Sequence, residues 1–181
     1  MASEMMKLSY RGVSTLLQGL CTLALGALPL YWVSLGLRPE VWQKVLTRAL
    51  PFDVQWQTVQ AWQWQSVWAL SWGGVLLVCA CLYTLKPVLK QFGNRQFFNG
   101  DNSLALRRLS RLLCLQALVH PLLVSGASLL LSWNHPPGQR LLSVSFSSQT
   151  FQLMLMSGLM LMVSELLVEG CGLAEENQQF V

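Results

Sequence analysis

The sequence predicts an all-α membrane protein: four transmembrane helices, both termini cytoplasmic, and a small two-stranded cap on the outer side. Three observations carry this expectation. Four stretches, 13–37, 66–85, 112–133 and 141–164, contain no Asp, Glu, Lys or Arg, and His120 is the one histidine among them. They run 25, 20, 22 and 24 residues, and a hydrocarbon core about 30 Å thick needs about 20 helical residues. Charged residues are 11% of the 181, against about 25% in a soluble domain. The basic residues are also unevenly placed. Eight (Lys7, Arg11, Lys86, Lys90, Arg95, Arg107, Arg108 and Arg111) fall at the N-terminus and in the second loop; only Arg38, Lys44, Arg48 and Arg140 fall in the first and third. That positive-inside bias puts the second loop and both termini in the cytoplasm.

The expected spans are about 13–37, 66–87, 104–133 and 148–170, in one domain covering 1–181, with outer loops at about 38–65 and 134–147. They leave no room for a separate soluble enzyme domain of about 100 residues. The net charge of +4 reads as a topology signal, so no direct nucleic-acid contact is expected. Lys7 and Arg11 precede the first span as in a signal peptide, but its 25 residues exceed the roughly 7–15 of a signal's apolar core. It reads as a retained anchor. Pro29 interrupts its hydrogen bonding, and Gly19 with Gly26, seven apart on one face, suits close helix packing.

The first outer loop and the span after it are rich in tryptophan: Trp42, Trp56, Trp62, Trp64 and Trp68, followed by Trp72. Indole rings favour the headgroup region, so an outer aromatic belt is expected, with a ligand cage as the sharper alternative. Phe52, Val54 and Trp56 alternate with polar residues, as do Leu142, Val144 and Phe146. Period-two alternation argues for half-buried strands, and two strands on one side of a membrane can pair, with His135 to Gly138 as a turn between span and strand. This is the basis of the expected cap.

The second loop ends in Asp101, Asn102 and Ser103, any of which can cap a helix opening near Leu104. Pro121 lies inside the third span and removes a hydrogen bond to the carbonyl of Ala117. Arg107 and Arg111 are four apart at the start of that span; Glu165 and Glu169 are four apart at the end of the fourth. Each pair shares a helix face, so adjacent antiparallel helices would form an Arg–Glu clamp at the inner side.

The stretch Gln96 to Ser110, with its two phenylalanines, polar turn and Arg-rich helix start, resembles a segment of a bacterial membrane family catalogued as domain of unknown function 2975. The end, Ser164 to Val181, is similar to that family's acidic, glycine-containing exit into Leu-x-Glu-Glu-Asn. The resemblance covers the four-span layout and implies a multi-pass protein of the bacterial inner membrane. It implies no activity. Some members are encoded beside small helix-turn-helix regulators, which implies a regulatory role.

No catalytic constellation is present: neither H-E-x-x-H, nor a P-loop, nor G-x-S-x-G occurs. His120 is an imidazole deep in a span, where such groups can mark function or simply bond a neighbouring helix. Met154, Met156, Met160 and Met162 could hold copper(I) but fit better as flexible filler. Cys79 and Cys81, two apart on a helix, point about 200° apart and are expected to pack, not to chelate. The chain is therefore expected to be a regulatory or protein-interaction module without catalysis, cofactor or metal. The alternative is a handler of a small molecule (lipid, quinone, haem or metal) in a cavity between proline-containing spans, with His120 as the candidate contact. Expected partners are the bilayer and either a membrane protein or a second copy.

Overall fold

A computed structural model describes residues 2–50, 54, 56–94, 100–134, 142–144 and 146–179. Among them the chain forms five α-helices, α1 (Ala2–Gly36), α2 (Pro39–Ala49), α3 (Ala61–Gly93), α4 (Gly100–Leu131) and α5 (Ser148–Gln179), and a 3-10 turn at Trp56–Thr58. The helices α1, α3, α4 and α5 are long and apolar enough to cross a membrane. Only 11% of the α1 span and 6% of the α5 span are buried within the protein. Leu16, Leu23, Leu30, Leu155 and Leu166 stand in the open, as lipid-facing residues do.

The long helices pack in sequence order, α1 on α3, α3 on α4 and α4 on α5. The result is a row rather than a closed bundle. Lipid tails are as apolar as leucine, so such contacts rely on close approach and polar pairing rather than on a hydrophobic drive. The α1–α3 contact has both at its two ends. At one, Gly93 faces the Ser14 side chain, and Ser14 Oγ donates to the Leu89 carbonyl at 2.5 Å. At the other, the indole of Trp68 lies over Gly36, where an added Cβ would sit 2.5 Å from the ring. Gly73 and Gly74 admit Leu123, and Gly126 admits Leu70, between α3 and α4.

The α4–α5 contact is a seam of small residues repeating every seven. Ser110 Oγ donates to the Ser157 carbonyl and Ser157 Oγ donates to the Ser110 carbonyl, both at 2.9 Å. One repeat away, Ser164 Oγ donates to the Ser103 carbonyl at 3.0 Å. One repeat the other way, Ala117 and Thr150 are buried. A seven-residue repeat keeps one face toward a partner helix crossing at a shallow angle.

The outer two-stranded cap receives no support: the described residues contain no strand. Phe52 and the turn at 135–138 lie outside them. Val54 and Trp56 enter a tight turn in which the Trp56 N–H bonds the Val54 carbonyl at 3.0 Å. The second alternating segment finds its partners on a helix instead. The Ser143 N–H donates to Ser128 Oγ at 3.0 Å, and Ser125 Oγ donates to the Ser143 carbonyl at 3.2 Å. Side-chain hydroxyls of α4 thus take the bonds that a neighbouring strand would have supplied.

What covers this end is α2. Pro39 stands in its first turn, Glu40 lies near its N-terminus and Arg48 near its C-terminus, each favourable for a helix start, stop and dipole. Trp42, Val45, Leu46, Ala49 and Leu50 repeat at three and four residues, making one apolar face. Helix α4 also starts earlier than expected, at Gly100, and Ser103 Oγ bonds back to the Gly100 carbonyl instead of capping.

Candidate functional site

The apolar face of α2 roofs a cavity of about 320 Å³ between α1, α3 and α4. Its walls are Leu28 and Trp32 from α1, residues between Val67 and Val78 of α3, residues between Gln116 and Ala127 of α4, and Gln149 from the first turn of α5. The adjoining packed cluster is Leu35, Trp42, Leu46, Leu50, Val67, Ala127 and Leu131. Apolar concavities with a few polar groups are where small ligands bind, and volumes run from about 300 Å³ upward. Helices α1 and α4 flank α3 without an extensive interface of their own, so the space is partly open at the side. Leu28 precedes Pro29 and His120 precedes Pro121. Each proline thus omits a helix hydrogen bond beside a wall of the cavity.

The polar inventory is short. Ser71 Oγ accepts from the Trp32 indole N–H at 2.8 Å and itself donates to the Trp68 carbonyl. The Trp68 N–H donates back across the helix pair to the Trp32 carbonyl at 2.9 Å. Trp42 packs edge to face on Trp32, ring centres 5.6 Å apart at 75°. Its own N–H, on a residue only 2% exposed, has no acceptor among the described residues. His120 Nδ1 is buried and equally without a partner. A buried polar atom left unpaired costs about 1–3 kcal/mol.

The five tryptophans expected as a belt therefore divide. Trp42 is buried, and Trp64 and Trp68 pack against the same cluster. Trp56 bonds Thr47 Oγ1 at 3.1 Å, and Trp62 alone of the five is largely exposed, bonding Gln60. Among the span-four methionines, Met154, Met156 and Met162 are exposed and Met160 packs against the α3–α4 cluster around Val88, so they do not converge. No group of three metal-ligating side chains occurs among the described residues. His135 lies outside them.

At the opposite end of the row, the structure brings Arg107 and Glu165 together at 2.7 Å. Arg111 and Glu169 are exposed and form no ion pair among the described residues. Both partners of the pair that forms are substantially exposed, where an ion pair contributes about 1 kcal/mol or less. Arg107→Glu should thus lower stability only slightly, and adding Glu165→Arg should return it. A thermal unfolding series in nanodiscs checks this; a large uncompensated loss would show that Arg107 acts through other contacts.

Gln63 carries a role the sequence reading missed. It is fully buried, and its amide Nε2 donates to the Leu130 carbonyl at 2.7 Å. Its Oε1 accepts from the Gln60 N–H at 2.7 Å and from Asn134 Nδ2 at 2.9 Å. One side chain thereby completes the reciprocal cap at the start of α3 and ties it to the end of α4.

No curated protein and no solved structure matches the chain. A family model does match, over residues 27–181, a stretch that holds every residue lining the cavity. That match spans most of the chain, and the protein belongs to the family described as protein of unknown function (DUF2975).

Proposed function

We propose that this protein holds a small, membrane-dissolved molecule between α1, α3 and α4, and that binding rather than catalysis is its biochemical act. The observation that supports this is the roofed apolar cavity with two buried, unpartnered polar atoms, Trp42 Nε1 and His120 Nδ1. Binding that stiffens the α1–α3–α4 contact would alter the surface offered to a partner, which accommodates a regulatory role. The eight-to-four distribution of basic residues supports an inner-membrane orientation with both termini cytoplasmic and α2 on the outer side. We assign no catalytic step.

Native mass spectrometry after gentle extraction tests the reading. The wild-type protein should carry a small-molecule adduct, and His120→Ala should lose most of it. A defined oligomer or a co-purifying protein with no adduct would overturn this in favour of an interaction module. One observation favours that second reading: Gly12, Gly19 and Gly26 lie at seven-residue intervals on α1, and a Cβ added at any of them would meet no other part of the protein within 4 Å.

A further inference from the structure

The unpaired atoms of the cavity constrain the chemistry of what fills it. Two indoles line its α2 end, Trp32 and Trp42; the N–H of Trp32 is committed to Ser71 Oγ, and that of the adjoining Trp68 to the Trp32 carbonyl. Trp42 is the exception. An indole nitrogen donates and cannot accept. The group that would satisfy it is thus an acceptor, and one able to reach a residue 2% exposed.

His120 adds a second polar point. It lies seven residues from Ala127 along α4, about 10 Å at helical rise. Ala127 belongs to the same packed cluster as Trp42. The other polar groups of the lining are Ser71, which is already bonded, and the amides of Gln116 and Gln149, each of which offers both a donor and an acceptor. A hydroxyl or amine head would bring a donor for which Trp42 has no use. A carbonyl brings only acceptors. The imidazole can meet either kind of group, because its Nδ1 carries a proton in one tautomer and a lone pair in the other.

We infer that the cavity takes a carbonyl-bearing apolar molecule, its carbonyl oxygen accepting from Trp42 Nε1 and its body lying along α3 toward His120. This rests on the ligand-holding reading above. The volume of about 320 Å³ sits at the lower end for ligand clefts, enough for one ring or a length of acyl chain. The edge-to-face walls of Trp32 and Trp42 suit a flat ring. The side opening between α1 and α4 admits the molecule from the bilayer. The same chemistry is presented by a quinone ring and by a fatty acyl ester, and the test separates them.

The purified full-length protein is titrated with three probes of matched tail: a decyl-substituted benzoquinone, methyl decanoate and decylbenzene, with native mass spectrometry as readout. At least one carbonyl probe should bind about tenfold tighter than decylbenzene, the worth of one hydrogen bond to an otherwise orphaned donor. Preference for the quinone identifies a ring source, and preference for methyl decanoate an acyl source. Trp42→Phe should abolish the preference while decylbenzene binding persists; Trp32→Phe should leave it intact. Equal binding of all three probes would overturn the acceptor inference and leave the cavity a plain apolar site. Binding of none would overturn the ligand-holding reading itself.

Discussion

Ser157→Leu is expected to unseat α5 from α4. The Ser157 hydroxyl fits against the Ser110 backbone with reciprocal 2.9 Å hydrogen bonds, and the residue is 7% exposed. A leucine carries two more heavy atoms than serine where two backbones approach closely, and overpacking of this kind costs about 1–3 kcal/mol, sometimes more. Ser157→Ala separates sterics from bonding. It removes only interhelical hydrogen bonds, worth about 0.6 kcal/mol each on average in membranes. Equilibrium unfolding by detergent titration should rank wild type above Ala and Ala well above Leu. A leucine variant as stable as the alanine one would show that the helices are not held at serine distance. Because α5 lies outside the α1–α3–α4 core, its release should leave the Trp32–Trp42 contact in place, visible as an unchanged tryptophan emission spectrum.

Gln63→Leu is expected to be comparably severe for a different reason. The shapes are close, yet three groups lose this partner together: the Leu130 carbonyl, the Gln60 N–H and the Asn134 amide, of which the last keeps another, the Thr58 carbonyl at 3.3 Å. At about 1–3 kcal/mol for an unsatisfied buried group, and with solvent reaching some of them, a loss of about 3 kcal/mol is expected. Gln65→Leu, two residues on and exposed, should change stability by no more than about 0.5 kcal/mol. Hydrogen exchange adds a local check, since opening should begin at the first turn of α3 and the last of α4. Equal stability of the Gln63 and Gln65 variants would sink the argument.

The spans were legible because bilayer thickness imposes a length that few soluble helices meet without a charge, and 13–37 or 141–164 states it outright. Helix α2 was also written in the sequence, in Trp42, Val45, Leu46, Ala49 and Leu50, but its single amphipathic stretch sits beside the alternating Phe52, Val54 and Trp56. Alternation predicts a strand only where a partner strand exists; in the second alternating segment, Ser125 and Ser128 of α4 bond Ser143. The serine seam could have been found by asking whether two spans share a seven-residue repeat of small residues, as 103, 110, 117 and 150, 157, 164 do. Gln63 could not. Its partner lies 67 residues away, and nothing local distinguishes it from Gln60 or Gln65. His120 stood out as a lone imidazole, yet its place in a cavity depends on α2 and on the gap between α1 and α4.

The row of helices bears on how the chain is assembled. Each long helix packs on the one before it in the series α1, α3, α4, α5, so no contact must wait for a distant segment to be made. Chains dominated by near-neighbour contacts order quickly, and segments emerge N-terminus first during synthesis. All of the pocket except Gln149, which α5 adds, can thus form before α5 has left the ribosome. The last helix then docks on a finished wall, its serines meeting a surface already in position.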